Sequence, residues 1–192
     1  MNPSWMEGLR TLCKAESTFD TTGKSWSVFV EPDEVTAAAR RLYERAFFLE
    51  DISAIDTREG LVAVYHFDHF DSPGRVAIHV IVPHEAPVIP SISPVFSGAL
   101  WHERECHDFF GIRFTGHPDL SPLLVPDDLD YYPLIKKEDA TRSLDELLDP
   151  GEIVDRDPAF ELFPKGPPGE QAGEKIDPLK TDPVHSGAGV ES

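Results

Sequence analysis

The stretch Leu61-Val62-Ala63-Val64-Tyr65-His66-Phe67, followed by Val76-Ala77-Ile78-His79-Val80-Ile81-Val82, decides the fold. Both runs alternate as strands do. Between them, Asp71-Ser72-Pro73-Gly74 carries turn chemistry: Pro presets φ, Asp and Ser bond their own backbone, and Gly admits positive φ. The pair predicts a β-hairpin. Upstream, Trp26-Ser27-Val28-Phe29-Val30 reads as a short strand. Pro32-Asp33 then open a helix over residues 32–45, with Val35, Ala38, Ala39, Leu42 and Ala46 on one face. Residues 47–56 form a further strand. Downstream, Pro83, Pro87, Pro90 and Pro94 mark an extended crossing, residues 98–110 return to helix, and Gly111 fits its C′ position. The order β-α-β-β-β-α predicts an α+β fold: a mostly antiparallel sheet with helices on one face, followed by an extended C-terminal arm.

Charge narrows the partners. The 192 residues include 17 basic and 35 acidic side chains, a formal net charge of −18. Such acidity opposes binding to nucleic-acid phosphates or to an anionic membrane face. No apolar run approaches the roughly 18 residues that cross a bilayer. The opening Met1-Asn2-Pro3-Ser4-Trp5-Met6-Glu7 lacks the basic flank and apolar core of a signal peptide. Cys13 and Cys106 are too few for a disulfide framework. These features predict a soluble protein of a reducing compartment.

Composition divides the chain into an N-terminal segment (1–25), a body (26–138) and an acidic arm (139–192). The arm holds 13 acidic and 5 basic residues, and from Pro150 onward 7 Pro and 6 Gly occupy 43 positions. That stretch buries too little apolar surface to offset the ordering of its backbone, so it should be extended or disordered unless something holds it. Ser143-Leu144-Asp145-Glu146 has the form of a capping box, with Leu147 and Leu148 following and Pro150-Gly151 as a stop. Phe160 and Phe163, between Pro158 and Pro164, are suited to anchoring an arm on another subunit.

The densest polar stretch is Trp101-His102-Glu103-Arg104-Glu105-Cys106-His107-Asp108. It lacks the His-Glu-x-x-His spacing that puts two imidazoles on one metal. His102 and Cys106 could form half a zinc site, with the rest drawn from His66, His69 or His84. The plainer reading is an amphipathic helix whose charges set geometry, Arg104 and Asp108 standing at the i, i+4 spacing of an ion pair. His66 and Asp68 read as polar residues at a strand edge, with His69 on the opposite face. There is no Gly-x-Gly-x-x-Gly, no phosphate-binding Gly-Lys-Ser/Thr loop and no nucleophile elbow, and two cysteines cannot hold an iron–sulfur cluster. The residues on their own predict no catalytic, cofactor or metal site. A metal-dependent enzyme and a free-standing binding module are the competing classes.

From Gly98 to Glu138 the sequence resembles the 30 kDa subunit family of respiratory complex I, the NADH:quinone oxidoreductase. The matching residues are Glu103-Arg104-Glu105, Asp108, Gly111-Ile112, Phe114, Gly116-His117-Pro118-Asp119-Leu120, Pro126-Asp127, Pro133-Leu134 and Lys136-Lys137. Weaker similarity reaches back to Ser27. The resemblance implies a scaffold subunit without a redox centre, on the cytoplasmic side of the cell membrane and touching it only through the complex. It implies as partners the large 49 kDa-type, hydrogenase-like quinone-site subunit and the small subunit carrying the terminal cluster. NADH, FMN, iron–sulfur clusters and quinone would belong to other chains.

Under the same resemblance, Glu103, Arg104, Glu105 and Asp108 form a structural charge cluster. Gly116-His117-Pro118 makes the turn into an interface segment, Gly116 permitting unusual backbone and Pro118 fixing φ. Two departures stand out. Ser121-Pro122 replaces a pair of arginines common in respiratory members, and Cys106-His107 replaces an aliphatic–aromatic pair. They leave open the equivalent subunit of an energy-converting membrane-bound [NiFe]-hydrogenase or formate hydrogenlyase-type complex, where a NiFe centre would replace the quinone site.

Overall fold

The computed structural model describes residues 3–72, 74–137, 140–144 and 153–157. Eight strands occur among them: β1 Cys13–Glu16, β2 Trp26–Phe29, β3 Phe47–Thr57, β4 Gly60–His69, β5 Val76–Val82, β6 Val88–Pro90, β7 Arg113–Thr115 and β8 Ile153–Arg156. The helices are a single turn α1 (Phe19–Thr22), α2 (Val35–Tyr43) and α3 (Ala99–Phe110). Six strands make one sheet in the order β3-β4-β5-β2-β1-β8, and β6 and β7 form a small parallel pair. In the main sheet only β2 and β5 run parallel. The fold is α+β and mostly antiparallel.

The hairpin forms as expected, with Phe67 opposite Val76 and Leu61 opposite Val82. Its alternation does not separate core from solvent, because both faces are covered. Leu61, Ala63, Tyr65 and Phe67 enter one apolar layer, and Val62 and Val64 enter the other. The turn is closed by side chains: Asp68 Oδ1 accepts the Gly74 amide at 3.0 Å, and His69 Nδ1 accepts those of Asp71 and Ser72, each at 3.1 Å. Asp68 and His69 are therefore turn-forming residues rather than solvated edge groups.

Helix α2 is shorter than the pattern suggests. Pro32–Glu34 form a 3₁₀ turn, and Val35, Ala38, Ala39 and Leu42 face the core as read. Ala46 does not join that face. It is exposed and left-handed (φ 59°), and it turns the chain into β3. The first layer is completed by Trp5 and Met6, by Ile89, Ile92 and Phe96 before α3, by Ala99 and Cys106 on it, and by Ile112 and Phe114 after it.

Both compositional flanks contribute to the sheet. Residues 1–25 supply Trp5, Met6 and β1, and the arm returns to pair β8 with β1, Cys13 facing Arg156. The remainder of the capping-box helix (145–148) and the anchors Phe160 and Phe163 lie outside the described residues.

Candidate docking surface along helix α3

Helix α3 contains no Gly or Pro and ends at Gly111, whose φ of 74° allows the Gly111 amide to reach the His107 carbonyl at 2.8 Å. Glu103, Arg104 and Asp108 do not pair with one another, and each reaches a different stretch of loop.

Glu103 points inward and is fully buried. Its Oε2 accepts the Ser91 hydroxyl at 2.6 Å and its Oε1 accepts the Ile92 amide at 2.8 Å, which locks the loop before α3. Desolvation pushes its pKa up to about 7, against the opposing pull of those two donors. Next to it, burial and then the Glu103 charge raise Tyr65 well above the usual phenol range. His117, whose side chain is 1% exposed, lies with Nε2 4.0 Å from Glu103. The Asp119 amide donates to His117 Nδ1 at 3.1 Å, so Nε2 carries the hydrogen and donates to the Leu100 carbonyl, also at 3.1 Å. The turn at Gly116 (φ 84°) is thus pinned to the first turn of α3.

Arg104 and Asp108 make no ion pair with each other. The Arg104 guanidinium donates to the Ser121 and Pro122 carbonyls at 2.9 and 2.8 Å and to the Ser121 hydroxyl at 3.2 Å, with Trp101 5.8 Å from its centre. Asp108 is buried, and its Oδ2 accepts three successive amides, those of Leu123, Leu124 and Val125, at 2.8, 2.6 and 3.3 Å. A buried carboxylate needs several donors at once. Three N–H groups of an irregular loop satisfy one oxygen better than a single flexible guanidinium does. Glu105 is exposed, outside the buried cluster.

Those contacts lay residues 119–137 along α3. Asp119 closes a local turn onto the Ser121 amide (2.9 Å), which holds its carboxyl below the ordinary range, and Leu120 packs on the core edge. Farther on, the Leu134 amide donates to the Phe109 carbonyl at 3.1 Å, and the Lys136 amide donates to Asp56 Oδ2 at 2.7 Å. Asp56 is buried and also bonds His84 Nε2 at 2.8 Å. Pro133, Lys136 and Lys137 are exposed. Sequence reasoning misses Asp56, with its neighbour His84, as the anchor of this segment, and Ser91 as a partner of Glu103. An acid at the end of an apolar strand is the one available signal, and it marks Asp56 alone.

The proposed half zinc site is dispersed. His102 Nδ1 lies 3.1 Å from Asp51, Cys106 Sγ contacts the Ile52 carbonyl from the buried side of α3, and His84 is held by Asp56. Among the described residues no group of three or more His, Cys, Asp or Glu could hold a metal ion.

Helix α3 and the laid-down segment expose several large apolar side chains beside the charged ones. Trp101, Leu124 and Tyr131 are each more than 60% exposed, and Tyr132, Leu134 and Ile135 are 40–48% exposed.

Residues 28–143 match the family described as the respiratory-chain NADH dehydrogenase 30 Kd subunit. The chain belongs to this family. A NADH-quinone oxidoreductase subunit of Roseiflexus sp. (strain RS-1) is 38% identical over 117 residues, 57% of this chain and 67% of that one. The corresponding NADH-quinone oxidoreductase subunit of Chloroherpeton thalassium is 41% identical over 91 residues, 46% of this chain and 38% of its own length. The fold is shared with a chain in the structure of the membrane-bound sulfane sulfur reductase, an archaeal respiratory membrane complex. That likeness has a TM-score of 0.58 and 23% identity over 67% of this chain and 78% of the other. Relatives of this 30 kDa-type chain are therefore subunits of oxidoreductase complexes. No helix among the described residues is long and apolar enough to cross a membrane.

Proposed function

We propose that this chain is a non-redox scaffold subunit in the peripheral arm of a proton-translocating NADH:quinone oxidoreductase. In this reading it lies on the cytoplasmic side of the membrane and packs on the large quinone-site subunit, near the small subunit that carries the terminal cluster. NADH, FMN, the iron–sulfur clusters and quinone are handled by those other chains. The observation that carries the reading is the exposed set of Trp101 on α3 and Leu124, Tyr131, Tyr132, Leu134 and Ile135 on the segment tied to Asp108 of α3 and Asp56 of β3. Rigid anchoring lowers the ordering cost of docking, and exposed aromatic residues supply the contact area.

Gentle-detergent purification from the native membrane, followed by mass spectrometry and metal analysis, tests the proposal. Recovery with flavin- and NADH-binding subunits and iron without nickel supports it. Tyr131→Asp with Leu134→Asp should then reduce co-purification of the large subunit about tenfold or more, and undiminished recovery would remove this strip as the contact. Ser121-Pro122 favours one second reading, since that pair stands at the anchored start of the strip. Nickel and a hydrogenase-type large subunit in the same purification would assign the chain to an energy-converting [NiFe]-hydrogenase or formate hydrogenlyase-type complex. Removal of residues 158–192, which spares β8, tests the arm: weakened assembly supports an arm that reaches a partner, and full assembly overturns it.

A further inference from the structure

Glu103 is completely buried, and its two oxygens hold two donors, the Ser91 hydroxyl and the Ile92 amide. An ionised carboxylate accepts about four, and a buried one is costly with fewer. Two further donors stand close without bonding to it. Tyr65 Oη is buried next to Glu103 and has no hydrogen-bond partner. His117 Nε2 lies 4.0 Å from Glu103 Oε2, just beyond bonding distance, and gives its hydrogen to the Leu100 carbonyl at 3.1 Å.

One charge in this cluster is free to change near neutrality. Burial, and then the Glu103 charge, hold the Tyr65 phenol of β4 protonated, and burial does the same for the Cys106 thiol on α3. Ser91, and Ser93 bonded to it in the preceding loop, do not ionise. Asp119, on the solvent side of His117, is held ionised by the Ser121 amide. A second hydrogen on His117 would have to sit at Nδ1, where the Asp119 amide already points its own. That leaves the Glu103 carboxyl, which desolvation raises to about 7.

We propose that Glu103 and His117 form a charge-operated latch: ionisation of Glu103 draws the His117 Nε2–H from the Leu100 carbonyl to Glu103 Oε2 and pulls the Gly116–Asp119 turn inward. The neutral acid does not compete for that hydrogen, and the imidazole then stays on Leu100. Little is lost at Leu100, whose carbonyl lies within α3 and keeps its place in the helical ladder. Space is available at Gly116, where even an added Cβ would meet nothing within 4 Å. The Asp119 amide donates to the same imidazole, so the movement reaches the start of the segment laid along α3. The latch is internal to this chain and does not depend on which complex the protein joins.

Magnetic resonance on the isotope-labelled full chain tests the latch. In a pH titration the His117 Nε2–H and Asp119 amide signals should shift together, with one midpoint near 7 shared by the Glu103 carboxyl carbon. In Glu103→Gln, which keeps the shape but cannot ionise, both shifts should vanish while the imidazole keeps its hydrogen at Nε2. The same midpoint persisting in that variant overturns the proposal, as does the absence of any shift in the wild-type chain. Where the variant fails to fold, the wild-type titration decides. Coincident midpoints with one hydrogen on the ring throughout support the latch. A His117 midpoint displaced from that of the Glu103 carbon, or a second ring hydrogen gained at the shared midpoint, overturns it.

Discussion

The Ser91 hydroxyl donates to the Glu103 carboxylate across 2.6 Å inside the protein, with the Ile92 amide on the other carboxylate oxygen. This is the most buried charge-bearing contact of α3, and it couples the helix to the loop that precedes it. Its cost appears in the raised pKa of Glu103.

Because Glu103 titrates at about 7 when folded and at an ordinary 4.5 when unfolded, the native state holds its proton more tightly between those values. Stability from this group is fully present below pH 4.5 and is lost as pH rises through 7, by on the order of 3 kcal/mol. His79 works in the opposite sense. Burial lowers it to about 3 from 6.5, so stability is present above pH 6.5 and is lost as pH falls towards 3. The two slopes oppose each other between pH 4.5 and 6.5. Urea titrations across that window should find stability rising with pH in Glu103→Gln, where the amide can donate to Ser91 Oγ. They should find it falling with pH in His79→Phe, which keeps the stack on Phe29 (centroids 4.5 Å apart). Parallel profiles in the two variants would refute the assignment.

Asp108→Ala leaves the amides of Leu123, Leu124 and Val125 without their common acceptor. A loss of about 2–4 kcal/mol is expected, with faster hydrogen exchange concentrated at residues 123–125. Loss of stability with those amides still protected would contradict the role given to Oδ2.

Arg104→Ala removes donors to exposed carbonyls rather than the counter-ion of a buried acid. The expected cost is about 1 kcal/mol, well under the roughly 3–5 kcal/mol of a broken buried pair. A thermal melt that gives the larger figure would restore the charge-cluster reading.

Gly111 and Gly116 have similar positive φ values, 74° and 84°, but different surroundings. A Cβ on Gly111 would meet the Tyr132 ring at 2.5 Å, while one on Gly116 has open space. Gly116→Ala should cost about 1 kcal/mol from backbone strain alone. Gly111→Ala should cost more and displace Tyr132, weakening assembly as well as stability. Equal melting temperatures for the two variants would rule out this distinction.

The sequence by itself determined the hairpin of β4 and β5, the inward face of α2, the extent of α3 and its stop at Gly111. Each rests on interactions between residues close in the chain: side-chain periodicity, turn chemistry and a left-handed cap. The signature from Glu103 to Lys137 also identified the family, because the spacing of its residues is a property of the linear chain. Tertiary structure alone decided what the charges do. Helical spacing allowed Arg104 to pair with Asp108, but desolvation demands more donors than one side chain supplies, and loops 11 to 18 residues away provide them. It also placed β1 and β8, four-residue strands too short to show a period: β1 pairs on the open edge of β2, and β8 on that of β1. The side chains of the docking strip are apolar in any reading. Only the hydrogen bonds to Asp108 and Asp56 fix where the backbone that carries Leu124 and Ile135 runs.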